Sequence, residues 1–279
     1  MRPGQPSRTA QFVAYTRALG TLAPQVPGFS DPYAEMFLPD RWRRRVEQAR
    51  GRSSPFPFWH RAMGLFNQFR TVILDRAITS VPPPDQLVIL GAGLDSRAWR
   101  LDCLKDTVVF EVDHPSTQDW KRSRSASIPY KAKDVRFIAL DFERENLAFL
   151  LKNAQFDPSK RTFWLWEGVT MYLRPQGVSA NLAAFSTLSA PGSRIALTYL
   201  RKNRGRIPRS IFLSLLGEPV RSAYAPAEIA ALARDRSWRK VSDTNIEDWL
   251  HETPGLTLKR WQIGLQWLES IWIGENEAN

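Results

Sequence analysis

Gly91-Ala-Gly93 ends a short apolar run, Leu87 to Leu90, and is followed two residues later by Asp95. An uninterrupted run of this length suits a fully buried parallel strand. Two glycines at its C-terminal end permit a sharp turn and let a flat ligand lie against the backbone, since neither has a Cβ. Open α/β sheets bind ligands at that edge. A second apolar segment, Thr107 to Asp113, follows after a gap that holds one crossover helix, and it ends on an acid. In a doubly wound sheet a carboxylate there accepts both ribose hydroxyls of a nucleoside cofactor. Asp113 is the first candidate; Glu111, two residues upstream on the same strand face, is the second.

The same stretch discriminates between cofactors. A dinucleotide fold needs a glycine three residues after Gly93, so that the helix packs closely beneath a pyrophosphate. That position is Ser96, preceded by the acidic Asp95. An acid at the helix start disfavours an anion above it. S-adenosylmethionine, with a sulfonium and no phosphate, suits the turn better than NAD, and Gly91 and Gly93 would admit its methionine portion.

Three ordered segments then carry a resemblance. Gly91-Ala-Gly-Leu-Asp-Ser-Arg-Ala-Trp-Arg-Leu101, Phe110-Glu-Val-Asp-His-Pro115 and Glu167-Gly-Val-Thr-Met-Tyr-Leu173 resemble the signatures of the leucine carboxyl methyltransferase family, including its bacterial branch of small-molecule O-methyltransferases. The resemblance runs from roughly Thr9 to Tyr199, with a weaker tail. It implies a class I methyltransferase fold with S-adenosylmethionine as cofactor. It also implies roles for further residues. Asp141 and Phe142 correspond to an Asp-Leu pair that contacts the adenine, with Phe in place of Leu. Glu167 corresponds to a glutamate beside the cofactor at the end of the fourth strand. Arg70-Thr-Val-Ile-Leu-Asp75 resembles the bacterial branch's Arg-Thr-x-x-x-Asp, which assigns Arg70 to the cofactor carboxylate. Arg61, in Arg61-Ala-Met-Gly64, resembles the protein-methylating branch and is the reserve.

Methyl transfer from a sulfonium is an in-line displacement, and holding the reacting atoms collinear can remove roughly 7–11 kcal/mol of barrier. A carboxylate acceptor is already ionised at neutral pH and needs no base, whereas a phenol or alcohol does. His114, Tyr172 and Tyr199 are the bases available for the second case. Tyr199 and Arg201, just past the fifth strand, are the expected acceptor-side residues.

The elements that must position these residues alternate. Helical patterns at Thr9–Leu19 (with Arg17 turned away from the apolar face), Asp31–Leu38 (Asp31 as N-cap, Pro32 next) and Trp59–Ile78 precede the first strand. Strands at 87–90, 107–113, 135–140, 162–166 and 193–199 then alternate with helices at 114–127, 143–153 and 175–189. After a basic insertion come a helix at 225–233 and weaker strands at 238–242 and 258–267. The expected architecture is one domain over 1–279. It is an α/β fold with a seven-stranded, mostly parallel, doubly wound sheet. Residues 1–80 form an N-terminal helical cap, and 81–279 a Rossmann-like core with an insertion around 200–225.

Composition narrows the remaining classes. The sequence of 279 residues is 43% hydrophobic, enough for a large core. A single cysteine, Cys103, excludes an internal disulfide and fits a reducing compartment. The three histidines are scattered, so no metal site is expected. No apolar run approaches the ~20 residues of a membrane span, and the N-terminus lacks the apolar centre of a signal peptide, so a cytoplasmic protein is expected. The net charge of +11 suits either a nucleic-acid binder or an enzyme attracting anionic acceptors. Its clusters, Arg41–Arg45, Lys121–Arg124 and Arg201–Arg206, carry little aromatic interleaving apart from Trp42. They are read mainly as solvated surface, so a small anionic acceptor is favoured over RNA.

Overall fold

The computed structural model describes residues 6–52, 55–56, 60–80, 82–140, 145–202, 219–253, 255–256 and 269–277. Helices α1 (Arg8–Leu22), α2 (Asp40–Ala49) and α3 (Arg61–Thr79) come first. Then follow β1 (Gln86–Leu90), a one-turn α4 (Arg97–Arg100), β2 (Val108–Asp113), α5 (Pro115–Ser125), β3 (Asp134–Ala139) and α6 (Leu147–Asn153). The chain continues through β4 (Thr162–Trp166), α7 (Pro175–Thr187), β5 (Arg194–Leu200), α8 (Pro226–Arg234), β6 (Trp238–Asn245), α9 (Ile246–His251) and β7 (Glu269–Asn276).

The seven strands lie in the order β3-β2-β1-β4-β5-β7-β6. The first five strands are mutually parallel, and β7 runs antiparallel between β5 and β6. β1 and β4 are central, and all five residues of each are buried. That is why these strands read as unbroken apolar runs instead of alternating ones. The strand order reverses between β1 and β4, and the C-terminal ends there form the crevice typical of such sheets.

Successive side chains go to opposite core layers, as strand geometry requires. Leu87, Ile89, Phe163, Leu165 and Ala196 pack with α1 and α3. Val88, Leu90, Trp164, Trp166, Leu197 and Tyr199 pack with residues of α6, α7 and α8. Trp164 stacks on Phe185 of α7 with ring centroids 4.7 Å apart. Among the described residues no helix is long and apolar enough to cross a membrane.

The structure departs from the sequence expectation in two places and holds one strand that the expectation did not include. Asp31–Leu38 is a series of i→i+3 turns, with Ala34 N–H donating to Asp31 O and Leu38 N–H to Glu35 O, not an α-helix. The Asp31 carboxylate caps nothing there because it turns inward to Arg17 and Ser96. The last strand is β7 at Glu269–Asn276, whereas the expected 258–267 lies outside the described residues. Acidic residues near both ends of β7 disguise it as a loop, yet Glu269 is fully buried. Finally, the β1–β2 crossover contains only the single turn of α4 and a 3₁₀ turn at Asp102–Leu104. Most of the insertion, 203–218, is outside the described residues.

Candidate cofactor site

The glycine turn sits at the end of β1 with both glycines in the left-handed region, Gly91 at φ 64° and Gly93 at φ 51°. A Cβ on Gly91 would overlap the Val169 side chain, and one on Gly93 would come to 3.2 Å from the Ala10 Cβ of α1. The turn is therefore closed by α1 on one side and by the loop after β4 on the other. Asp113 faces it from the end of β2. Its Oδ2 accepts from Gly93 N–H and its Oδ1 from His114 N–H, each at 2.5 Å. Burial raises the Asp113 carboxyl, and these two amide donors oppose the rise. Each oxygen keeps a further lone pair for a hydroxyl donor.

Glu111 does not share that position. It is fully buried, and its Oε2 lies 2.6 Å from Lys121 Nζ of α5. Lys121 in turn lies over the rings of Phe37 and Trp99. The basic cluster at 121–124 is thus solvated only in part: Lys121 belongs to the core. An acid inside an apolar strand demands a buried cation, and that was the signal available in the sequence.

A network of buried charge extends from the glycine turn. Arg97 of α4 is fully buried. Its Nη1 bonds Asp95 and lies 2.9 Å from Glu167 Oε2, while its Nε lies 2.7 Å from Asp75 Oδ1. Arg100 shares Asp75, with Nη1 at 2.5 Å from Oδ2. Arg70 of α3 places Nε 2.8 Å from Glu167 Oε1 and Nη1 3.1 Å from Glu269 Oε1. On the cap side, Arg17 donates to Leu94 O at 2.7 Å and pairs with Asp31, which accepts from Ser96 Oγ at 2.6 Å. Arg17 is therefore buried against the glycine turn and not directed away from the core. Helical spacing gave the cue, since it lies three residues after Ala14 and one before Ala18, both buried. Burial alone would raise the Asp95 and Glu167 carboxyls. Arg97 and Arg17 at the first, and Arg70 and Arg97 at the second, hold both below their ordinary values.

Arg70, Gly91, Gly93, Asp113 and Glu167 all stand at the sheet's C-terminal edge or on the helix packed beside it. Asp141 and Phe142 lie outside the described residues. Tyr172 closes the 3₁₀ turn Thr170–Tyr172 after β4, and Arg201 bridges to Tyr224 just past β5. Tyr199 is buried in the layer opposite Arg70, with its hydroxyl 2.9 and 3.0 Å from the two Asp243 oxygens. Burial and the Asp243 charge push this phenol far above its ordinary value. His114 caps α5: its Nδ1 is 2.9 Å from Ser116 Oγ and accepts from Ser116 N–H at 3.3 Å. Arg61 is the first residue of α3 and is exposed. Motif reading missed Asp31, Arg17, Lys121, Arg97 and Glu269 as interior charges. Among the described residues no group of three or more His, Cys, Asp or Glu could hold a metal.

This edge fits a nucleoside with a zwitterionic tail: positive-φ glycines where side chains would collide, an acceptor carboxylate, and guanidinium and carboxylate groups side by side. The comparisons agree. The family model for leucine carboxyl methyltransferase matches residues 10–186. A protein of Mycolicibacterium gilvum, named for an inferred S-adenosyl-L-methionine-dependent methyltransferase activity, is 36% identical over 203 residues. That match covers 69% of this chain and 66% of the relative, just under two-thirds of its length. A similarly named protein of Mycobacteroides abscessus is 30% identical over 254 residues, 82% of each chain. Two solved structures share the fold. One, from Thermobifida fusca YX and described as a methyltransferase by inference, has a TM-score of 0.63 at 18% identity, covering 99% of this chain and 96% of that one. The other, magnesium protoporphyrin IX methyltransferase from Synechocystis with bound S-adenosylhomocysteine, has a TM-score of 0.52 at 11% identity over 85% and 95%. The chain belongs to the leucine carboxyl methyltransferase family, with the class I methyltransferase fold and S-adenosylmethionine as cofactor.

Proposed function

We propose that the protein transfers the methyl group of S-adenosylmethionine to a carboxylate oxygen of a small anionic acceptor, forming a methyl ester. The observation that carries this reading is that two of the three side chains able to act as a base near the strand ends are engaged elsewhere, which leaves Tyr172 alone on the acceptor side. Tyr199 is buried and bonded to Asp243, and His114 spends Nδ1 on the start of α5. A phenol or alcohol acceptor needs a base in reach; a carboxylate arrives ionised and needs orientation alone.

When bound, the cofactor supplies an electrophilic methyl on its sulfonium. Asp113 accepts the ribose hydroxyls, held in place by the Gly93 and His114 amides. Gly91 and Gly93 let the thioether portion lie against the turn, and Arg70 takes the cofactor carboxylate. Glu167 aligns Arg70 and is itself fixed by Arg97. On the acceptor side the arrangement favours Arg201 and Tyr172 over Tyr199, which faces the other core layer. The net charge of +11 draws anions toward the site.

The test is chemical. Protein and methyl-labelled cofactor are incubated with pools of carboxylic acids and of phenols, and the products are treated with alkali. Methyl esters release volatile labelled methanol, and ethers do not. Label in the acid pool that alkali frees supports the reading, and alkali-stable label in the phenols replaces it. The other enzyme reading is RNA methylation, for which the exposed Arg45 stacked over Trp42 at 4.9 Å offers a base-stacking platform. It predicts label in total tRNA.

A further inference from the structure

The first turn of α1 lies across the strand ends that would receive the nucleoside. Ser7, the N-cap, donates its backbone N–H to Thr117 Oγ1 at 3.3 Å, and its own Oγ accepts from Ala10 N–H. Thr117 is fully buried in the first turn of α5, just past Asp113. At the other end of the turn, Ala10 packs on the glycines so closely that a Cβ on Gly93 would meet its Cβ at 3.2 Å. Asp113 links these two anchor points. It bonds Gly93 through Oδ2 and His114, at the start of α5, through Oδ1. A ribose seated on Asp113 therefore lies against the Ser7–Ala10 turn.

Gln11 fixes where that turn sits. Its side chain is buried, and its Nε2 donates to Pro6 O at 2.8 Å. Its Oε1 accepts from Arg41 Nη2 at 2.6 Å and from Trp42 Nε1 at 3.2 Å, both on α2. An indole N–H can only donate, so the amide has one orientation, oxygen toward α2 and nitrogen toward Pro6. One side chain thus ties the residue ahead of the N-cap to a second helix of the cap. We propose that Gln11 is a positioning residue of the cofactor site, acting through the Ser7–Ala10 turn. The turn walls the nucleoside in, and S-adenosylhomocysteine leaves after methyl transfer by displacing it from Gly93 and Thr117. Gln11 sets how readily the turn moves, and so how fast the site exchanges its ligand. No covalent bond changes.

The inference rests on the placing of the ribose at Asp113, and hydrogen exchange separates the two. Wild-type protein is measured with and without S-adenosylhomocysteine. Slowed exchange is expected at residues 7–11 together with 91–95 and 113–114. Slowing at the two strand ends alone overturns the role of the turn and leaves the site standing. No slowing at the strand ends removes the site, and the inference with it. Gln11→Glu keeps an acceptor for Arg41 and Trp42 but sets a carboxylate oxygen against the Pro6 carbonyl. It is expected to speed S-adenosylhomocysteine dissociation about tenfold by surface plasmon resonance, with a smaller change in the association rate. A wild-type dissociation rate overturns the proposal. So does a loss of stability in urea with that rate unchanged, which marks a structural role. Should Gln11→Glu not fold by circular dichroism, Thr117→Val removes the acceptor of Ser7 N–H at nearly constant volume. It should speed dissociation in the same direction, and an unchanged rate overturns the proposal.

Discussion

Replacing Arg97 by methionine is the sharpest perturbation of the interior. The side chain is fully buried and faces Asp75, Asp95 and Glu167. Methionine fills much of the volume, so the change removes charge more than packing. Asp75 retains Arg100 and Glu167 retains Arg70, which leaves Asp95 as the main loser. Breaking one buried pair by removing its cation costs about 3–5 kcal/mol, against a total stability of about 5–15 kcal/mol for a domain. The pH dependence supplies a second readout. In the wild type, Asp95 sits well below its ordinary value despite burial, because of Arg97 and, behind it, Arg17, Lys121 and Arg100. A depressed folded value contributes stability above the unfolded value of about 3.9, and that contribution is lost as pH falls through the folded value. Without Arg97, burial is opposed only by Arg17, Lys121 and Arg100, so the folded value rises and less of this stability remains above the unfolded value. Urea unfolding at about pH 7 and about pH 3 should therefore show the variant's deficit shrinking at the lower pH, where the contribution is being lost in the wild type too. A deficit under about 1 kcal/mol, the scale of exposed pairs, or one equal at both pH values, would refute the network as described.

Three further substitutions probe the edge. Gly91→Ala places a Cβ against Val169 at a positive φ, so it should cost about 1–2 kcal/mol of stability from the backbone alone and weaken S-adenosylhomocysteine by calorimetry; Val169→Ala should restore part of both. Tyr199→Phe leaves Asp243 without its hydroxyl donor and should lose about 1.5–3 kcal/mol in urea unfolding, while methyl transfer stays within about twofold because the phenol is not a base. Asp113→Asn, titrated with S-adenosylhomocysteine, should lose about tenfold or more in affinity, since one charged acceptor becomes a donor.

The frame of the fold was legible because its signals are local. Five parallel strands announce themselves as largely apolar runs, four of them ending on Gly or an acid, and the glycine turn can be read from residue type alone. The first segments to escape were those in which a charge lies where pattern reading expects none. Glu269 heads a buried strand that the expected elements did not include. Asp31-Pro32 matched a helix start, but the carboxylate that would have capped it is consumed by Arg17 and Ser96, partners far away in sequence. Lys121 and Arg97 read as surface or motif residues because, although Glu111 inside an apolar strand signals that a buried cation is needed, nothing local shows which cation answers it or that Asp95 needs one. The site followed the same division. Gly91, Gly93 and Asp113 could be inferred from the chemistry of a nucleoside edge and Arg70 and Glu167 from resemblance, whereas the ion pairs joining them depend on tertiary placement.

A crystal structure with S-adenosylhomocysteine tests the central claim most directly. The nucleoside is expected over Gly91–Gly93, with both ribose hydroxyls donating to Asp113 and the aminoacyl carboxylate on Arg70. A nucleoside bound elsewhere, with Asp113 accepting only from the Gly93 and His114 amides, would contradict it.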